Sequence, residues 1–164
     1  MVLPLLTRLD HVGIACRDLR RAIDMYRETF GLGVLSLEEN EEQGVREAML
    51  AVGSGAAAEV LAGRPGYVQL LEPLAPDTPV GKFLARRGEG IHHVGYGVSD
   101  IGEALAAIAG TSGGGVRLLD QRPRHGSMGA SIAFLHPADL GGVLTELVQL
   151  ASSARLPHTG VKGI

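Results

Sequence analysis

The 164-residue chain has little cysteine and no tryptophan. Its single cysteine, Cys16, excludes an intrachain disulfide and fits a protein that stays in the reducing cytosol. A lone cysteine in an apolar segment is more often a small buried residue than a reactive thiol, so we expect Cys16 to be buried in the first strand. The composition gives no indication of a disulfide scaffold.

Long apolar runs and a large net charge are also missing. No stretch reaches the roughly 18 apolar residues that a membrane-spanning helix needs, and the apolar start of the chain lacks the pattern of a secretory signal. A formal net charge of −3 provides no whole-protein attraction for nucleic acid. We therefore expect a soluble cytoplasmic domain with one compact core, and neither a membrane nor a nucleic acid as partner.

The sequence does contain a phrase that occurs twice. His11-Val12-Gly13-Ile14-Ala15 is followed by Asp18, Leu19 and Ala22, and His93-Val94-Gly95-Tyr96-Gly97 is followed at the same spacings by Asp100, Ile101 and Ala104. Such a repeat indicates two similar structural units. Each unit would contribute the same edge to a shared centre.

Hydrophobic periodicity predicts the same order of elements in both halves. Asp18 is expected to cap the first helix, which Gly31 ends, and Asp100 with Glu103 forms a capping box for a helix through Ala109. Strands are predicted at residues 9–16, 34–37, 45–52 and 67–71, then at 91–98, 116–119, 130–135 and 143–150. The pattern is βαβββ written twice.

The expected fold class is therefore α+β, a single domain of two tandem βαβββ modules that form a cupped mixed sheet. The modules cover about residues 7–74 and 89–150, and a short helix over 78–87 connects them. Residues 38–43 and the Gly- and Ala-rich stretch 53–66 are expected to be loops. The tail, 151–164, has no periodicity.

Metal-ligand side chains occupy matching positions in the two halves. His11 and His93 lie in the first strand of each half, and Gln69 and Glu146 lie in the last. A pseudo-twofold axis would bring all four together, although each residue alone is weak evidence for a metal site. Two imidazoles, an amide oxygen and a carboxylate suit a borderline divalent ion, with Co²⁺ favoured and Zn²⁺, Ni²⁺ and Mn²⁺ as alternatives.

Other polar groups admit both a functional and a structural interpretation. His92 is expected on the opposite face of its strand from His93, as a supporting residue and not a ligand. The loop at 122–129 offers cations and free backbone N–H groups that would bind a carboxylate or phosphates, or it is a solvated basic hairpin. The candidate substrate-binding residues are Arg124, His125, Gly126, Ser127, Met128 and, on the connecting helix beside Arg86 and Arg87, Lys82.

Taken together, several phrases resemble the vicinal oxygen chelate superfamily and, within it, the methylmalonyl-CoA epimerases, over roughly residues 7 to 150. The set is specific, whereas any one phrase would indicate only the superfamily. The matching phrases are LDHVGIA from Leu9, EQGV from Glu42 with Glu47, VQLLEPL from Val68, TPVGKFL from Thr78, IHHV from Ile91, and FLHP from Phe134 running to GGVLTEL from Gly141.

The resemblance implies a metal-dependent epimerase that interconverts (2R)- and (2S)-methylmalonyl-CoA through an enolate. His11, Gln69, His93 and Glu146 would be its metal ligands, and Glu47 a catalytic carboxylate. Glu47 shares a strand face with Met49 and Ala51, so it would point into the cup as one base. The group on the other face of the substrate carbon C2 would be Glu146 bound to the metal, or a water that Glu146 polarises; because chelation should lower the basicity of Glu146, Glu47 is the stronger candidate base. The resemblance also implies a homodimer, a role in propionate metabolism and an acyl-CoA partner, with ethylmalonyl-CoA left open.

Two other readings share the fold. One is a different chelate-family enzyme, either a glyoxalase I-like lyase or an extradiol dioxygenase. A dioxygenase would bind redox-active iron through two histidines and a glutamate. A fourth ligand from the first half, Gln69, is not part of that set and therefore argues against a dioxygenase. The other is a metal-free drug-binding resistance protein, which typically lacks the ligand set that this sequence keeps.

Overall fold

The computed structural model describes residues 5–53, 66–111 and 115–151. These residues form one mixed eight-stranded sheet and three α-helices. The first half contains β1 (Leu6–Ala15), α1 (Leu19–Phe30), β2 (Val34–Asn40), β3 (Val45–Ala51) and β4 (Tyr67–Pro73). Helix α2 (Pro79–Arg87) leads to β5 (Gly90–Val98), α3 (Ile101–Ala109), β6 (Arg124–His125), β7 (Ser131–Leu135) and β8 (Thr145–Gln149).

The sheet has the pseudo-symmetry that the repeated phrase predicts. Its strand order is β2-β3-β4-β1-β5-β8-β7-β6, so each half contributes four neighbouring strands in the same internal order. β1 and β5 pair antiparallel at the centre, β1 is parallel to β4, and β5 is parallel to β8. The predicted α+β fold with paired βαβββ modules is confirmed.

The sheet is curled, because its two edges meet. Seven spacings between eight flat strands would separate β2 from β6 by about 34 Å. Instead, the carbonyl of His125 accepts hydrogen bonds from Asn40 Nδ2 at 3.3 Å and Gln43 Nε2 at 3.2 Å, and Arg124 Nε donates to Glu42 Oε1 at 3.0 Å. Side chains at the end of β2 thus close the cup against β6.

Each strand has an inner face, defined as the face that carries Glu47, Gln69 and Glu146, and an outer face covered by helices. Alternation sends Leu70 and Leu147, which adjoin Gln69 and Glu146, to the outer face. Leu70 packs in a buried cluster beneath α1, and Leu147 packs in the cluster beneath α3. Helix α2 instead covers one end of the inner face, where Val80 and Leu84 pack on Ala15, Val45 and Leu71.

The helix boundaries follow the predicted caps. The side chain of Asp18 accepts a hydrogen bond from the Arg21 N–H, and Asp100 does the same for the N–H of Glu103. Gly31 ends α1 with a left-handed φ of 70°, a conformation that costs glycine least. The predicted N-cap roles of Asp18 and Asp100 are therefore confirmed, whereas the reciprocal contact of the Glu103 side chain in a capping box stays a prediction.

Three element predictions were wrong in detail. Residues 116–119 form no regular strand: only Leu118 bridges to Leu135, and the short β6 takes the place expected of that strand. β2 continues to Asn40 through part of the expected loop, and β8 begins at Thr145 and not at Val143. Expectations for residues 54–65, 112–114 and 152–164 lie outside the described residues. Among described helices, none is long and apolar enough to cross a membrane.

Candidate metal centre

Three predicted ligands converge on the inner face where the modules meet. His11 Nε2 lies 2.9 Å from His93 Nε2 and 2.9 Å from Glu146 Oε2, and His93 Nε2 lies 3.7 Å from the same oxygen. The candidate ligand atoms of the three residues all lie within 4.8 Å of one another, and all three side chains are buried. Two imidazoles and a carboxylate buried this closely have the chemistry of a site for a borderline divalent ion.

The fourth predicted ligand, Gln69, lies on the same face, and its amide is only half satisfied. Its Nε2 donates to Glu47 Oε2 at 2.7 Å, whereas its buried Oε1 has no hydrogen-bond partner among the described residues. A buried amide oxygen without a partner is costly unless something supplies positive charge or a proton. A cation would satisfy that oxygen, so the residues present fit a bound metal.

A glycine on each of the two central strands leaves space for the candidate ligand histidine of the other strand. His11 lies opposite Gly95, and His93 lies opposite Gly13. A Cβ added to Gly95 would overlap the His11 ring, and one added to Gly13 would overlap the His93 ring. The glycine of each repeated phrase thus accommodates the histidine of the other phrase. In the sequence these glycines only mark the repeat, because their role depends on the pairing between β1 and β5.

Irregularities in the β1–β5 pairing place a polar residue behind each histidine. Leu9 and His11 pair with the consecutive residues Tyr96 and Gly95, which leaves Asp10 without an opposite residue. His93 and Ile91 pair with consecutive residues Gly13 and Ile14, which leaves His92 without one. Such a bulge re-aims side chains and interrupts strict alternation.

The prediction that His92 points away from His93 was therefore wrong. His92 Nδ1 lies 3.0 Å from His93 Nδ1, and both rings line the same inner cleft. The His92 ring also meets Phe83 of α2 edge-on, with ring centroids 5.1 Å apart. The bulge explains the difference, because alternation holds only where pairing is regular.

The two ligand histidines have different electrostatic surroundings. Burial opposes the charged form of His11, but the carboxylates of Asp10 and Glu146 outweigh it and raise its pKa to about 9. Burial, followed by the neighbouring imidazoles of His11 and His92, lowers the pKa of His93 well below its usual value. Burial lowers the pKa of His92 to about 4.

Glu47 is 1 % exposed and lies on the inner face, beside the ligand set. Ser127 Oγ donates to its Oε1 at 2.5 Å, and Gln69 Nε2 donates to its Oε2. Burial raises the pKa of Glu47 despite the Ser127 hydrogen bond, and the carboxylates of Glu38 and Glu146 contribute in the same direction. Glu47 is therefore a buried carboxyl group disposed to take up a proton.

The structure also identifies the residue of the second module that corresponds in position to Glu47. Glu47 pairs with Leu71, two residues beyond Gln69, and the corresponding partner of Val148, two residues beyond Glu146, is Ile132. Ile132 is 2 % exposed and apolar. The candidate metal ligands are thus repeated in both modules, whereas the carboxyl group of Glu47 is not.

The predicted substrate loop lies over the centre, but part of it is already engaged. Ser127 contacts Glu47, and Arg124 pairs with Glu42 and with Asp120, the latter at 3.4 Å. The N–H groups expected to be free include two that are not: Gly126 donates to the Ala130 carbonyl, and Met128 donates to Glu38 Oε1 at 3.1 Å. His125 is exposed, and its carbonyl bonds the end of β2.

A second cleft lies beside α2. Its lining includes His92 and His93, and the basic residues Lys82, Arg86 and Arg87 of α2. Phe83 and Val143 add apolar surface to the same lining. The cleft therefore combines apolar walls with positive charge, as an elongated anionic ligand requires.

Comparisons with known proteins agree with this geometry. One solved structure, a methylmalonyl-CoA epimerase in complex with methylmalonyl-CoA and NH4+, is 50% identical, covers 90% of this chain and 96% of its own, and superimposes with a TM-score of 0.80. The epimerase of Mycobacterium tuberculosis is 38% identical, with 92% of this chain and 93% of that one covered and a TM-score of 0.80.

A further relative, the ethylmalonyl-CoA/methylmalonyl-CoA epimerase of Cereibacter sphaeroides, is 34% identical over 145 residues, 87% of this chain and 98% of the relative. The resemblance stated from sequence motifs is thereby confirmed. The model of the Glyoxalase/Bleomycin resistance protein/Dioxygenase superfamily matches residues 10–134. From this match and from the paired βαβββ modules, the chain belongs to the Glyoxalase/Bleomycin resistance protein/Dioxygenase superfamily.

Proposed function

We propose that this protein is a metal-dependent methylmalonyl-CoA epimerase, an isomerase that moves a proton at C2 of the substrate. The observation that carries the proposal is the link between Glu47 and the ligand set. Glu47 is buried, its pKa is raised, and Gln69 Nε2 holds one of its oxygens at 2.7 Å. The epimerase relatives at 34% to 50% identity support the same activity.

His11, Gln69, His93 and Glu146 would hold the metal. Co²⁺ is the ion we favour, and Zn²⁺, Ni²⁺ and Mn²⁺ suit the same ligands. A divalent ion bound there supplies positive charge for the substrate oxygens on which negative charge develops when C2 loses its proton. The nearly complete burial of these residues keeps water from weakening that electrostatic effect.

Glu47 is the proposed base on one face of C2, and Glu146 is the proposed acid–base group on the other. Ser127 and Gln69 each donate to one oxygen of Glu47, which fixes the orientation of the carboxyl group. Ile132 occupies the equivalent place in the second module, so the strand that carries Glu47 has no symmetric base. The second proton would therefore pass through Glu146 on β8, the strand that pairs with β7.

The cleft along α2 is the proposed path for the coenzyme A portion. Lys82 and its basic neighbours on α2 would face the phosphates, while the thioester end reaches His93 and the metal ligands. Arg124, His125 and the turn at Gly126, Ser127 and Met128 would enclose the acyl end. We also propose that ethylmalonyl-CoA is accepted, as the name of the Cereibacter sphaeroides relative indicates for that protein.

The wider setting belongs to the same proposal. We place the enzyme in the cytoplasm as a homodimer that serves propionate metabolism, where epimerisation links the two isomers of methylmalonyl-CoA. The single buried Cys16 fits a reducing compartment. Light scattering of the purified protein tests the dimer, with a monomer as the contrary result.

The decisive experiment measures exchange of the C2 proton. Protein loaded with Co²⁺ is incubated with methylmalonyl-CoA in deuterated water, and deuterium at C2 is followed by mass spectrometry. Glu47→Gln should slow exchange by about 10²–10⁴-fold, because a positioned general base contributes that much, while the metal content is unchanged.

Glu28→Gln serves as the matched control, since Glu28 is exposed on α1, which packs on the outer face of the sheet. Absence of C2 deuterium with the metal-loaded wild-type protein would rule out the epimerase. Loss of metal in the Glu47→Gln variant would instead make Glu47 a ligand.

A further inference from the structure

Each ligand histidine has its second ring nitrogen held by the residue immediately before it. His11 Nδ1 lies 2.9 Å from Asp10 Oδ1, and His93 Nδ1 lies 3.0 Å from His92 Nδ1. The two supporting residues occupy equivalent positions in the repeated phrase, directly before its histidine. Neither belongs to the proposed ligand set.

The same backbone device creates both contacts. In a regular strand, neighbouring side chains point to opposite faces and cannot share a hydrogen bond on one face. Asp10 and His92 are two of the three residues that the β1–β5 pairing leaves unopposed; the third, Thr7, lies near the start of β1. At Asp10 and at His92 the regular pairing of the strands is interrupted. Because of this irregularity, each side chain can reach the histidine ring that follows it.

We propose that Asp10 and His92 are positioning residues of the metal centre. Each fixes the rotation and the tautomer of the next histidine, so that Nδ1 is occupied and Nε2 is directed at the centre. The distances agree, because the Nε2 atoms of His11 and His93 both lie close to Glu146 Oε2. Groups that hold the outer nitrogen of a metal-bound histidine commonly set its orientation and ligand strength.

The two positions differ in chemistry, so the symmetric site has unequal supports. Asp10 is a carboxylate, 2 % exposed, whose other oxygen is held by the guanidinium of Arg8. Arg8 in turn lies across Gly97, where a Cβ would overlap its side chain. His92 offers a neutral imidazole, held edge-on by Phe83. An anionic acceptor polarises its histidine more strongly than a neutral one, so Asp10 should matter more for affinity.

This inference rests on the proposed metal centre, and its test uses Co²⁺ as the probe. Co²⁺ affinity is measured by competition with a chromophoric chelator, and the geometry is followed through the visible absorption of the bound ion. Asp10→Leu and His92→Phe remove the acceptor at similar size. Both should weaken Co²⁺ binding about 10–100-fold, as loss of such supports typically does, with the larger effect for Asp10→Leu.

Conservative replacements separate positioning from packing. His92→Asn places an oxygen acceptor near the former Nδ1 and should restore the affinity to within about threefold of wild type, along with the wild-type absorption spectrum. Asp10→Asn keeps an acceptor but loses charge, and should fall between wild type and Asp10→Leu. Thr145→Val is the matched control, because Thr145 is buried next to Glu146 in the sequence and its hydroxyl donates to the Val143 carbonyl, not to a candidate ligand.

Circular dichroism first establishes that each variant is folded, and if Asp10→Leu is not, the His92 pair decides. The inference is overturned if folded Asp10→Leu and His92→Phe bind Co²⁺ like the wild type, or if Thr145→Val weakens binding as much. Failure of His92→Asn to recover any affinity lost in His92→Phe also overturns it for His92. Wild-type protein that binds no Co²⁺ would overturn the metal centre itself, and the inference with it.

Discussion

At the scale of single residues, the candidate metal centre depends on two glycines, which have no side chain to obstruct the histidine rings. Gly13 and Gly95 follow the ligand histidines by two positions, and each faces the histidine of the opposite strand. Because the central strands pair antiparallel, one phrase used twice brings each glycine to the other histidine. The glycine is thus needed for a close approach of a ring to the backbone, and not for a positive φ.

Gly95→Ala should therefore damage the site more than an ordinary glycine substitution. The added Cβ would overlap the His11 ring, so the ring must move, and overpacking of this kind costs about 1–3 kcal/mol of stability. We expect a lower free energy of unfolding in chemical denaturation together with weaker Co²⁺ binding.

Gly33→Ala is the control for Gly95→Ala, because a Cβ there meets no atom within 4 Å. Gly33→Ala should keep Co²⁺ affinity at the wild-type value. Equal Co²⁺ affinity in the two variants would contradict the claim that Gly95 leaves the space which the His11 ring needs.

At the scale of elements, regular alternation allowed the strand faces of the candidate ligands to be predicted from the sequence. Counting residues places Gln69 and Glu146 on matching strand faces, and in the structure both line the same pocket as His11. The positions of the bulges were not predictable in this way. Whether Asp10 or His92 stands unopposed is decided by pairing between β1 and β5, a contact between distant parts of the chain that local periodicity does not record.

The missed strand at 116–119 has a related cause. The apolar residues Val116, Leu118 and Leu119 favour a strand there, but a strand also needs a partner along its length. Only Leu118 finds one, at Leu135, while the backbone of Leu119 and Asp120 bonds the Phe134 carbonyl. Local propensity predicted the helices better, because their start signals act within a few residues of the chain.

The two equivalent helix caps offer a matched pair of substitutions. Asp18→Ala removes the acceptor for Arg21 N–H at the start of α1, and Asp100→Ala does so for Glu103 N–H at α3. Each should lower the free energy of unfolding by about 1 kcal/mol, the usual cost of losing a cap. Thermal or urea unfolding measures the change.

Asp24→Ala is the control for the cap variants. Asp24 lies inside α1 and forms only an exposed pair with Arg27, so its loss should cost less than either cap. A loss of Co²⁺ binding in a cap variant would be unexpected, because both helices pack on the outer face. Equal stability of all three variants would contradict the assigned capping roles.

At the scale of the whole molecule, the two modules contribute equivalent candidate ligands but differ in the carboxyl group beside them. Each module provides one histidine and one oxygen donor from equivalent strands, whereas only the first provides Glu47. The second module contributes the turn that places Ser127 within hydrogen-bond distance of the Glu47 carboxyl group. That cross-module contact depends on the curl of the sheet, since β6 and the turn must reach the end of β2.

The closure of the cup can be tested at Asn40. Asn40→Ala removes one of two side-chain donors to the His125 carbonyl, a loss of roughly 0.5–1.5 kcal/mol for a hydrogen bond. We expect faster hydrogen exchange in the segment 124–130 and a higher KM, because that segment holds Ser127 over Glu47. The reference segment is α3, which packs on the outer face away from the closure.

Gln121→Ala removes an amide that donates to the Leu118 carbonyl, away from the closure, and should leave exchange at 124–130 unchanged. If Asn40→Ala speeds exchange equally in α3 and in 124–130, the effect is global and the closure does not depend on Asn40. Faster hydrogen exchange in 124–130 alone would instead show that the hydrogen bond from Asn40 to His125 holds the turn with Ser127 over Glu47.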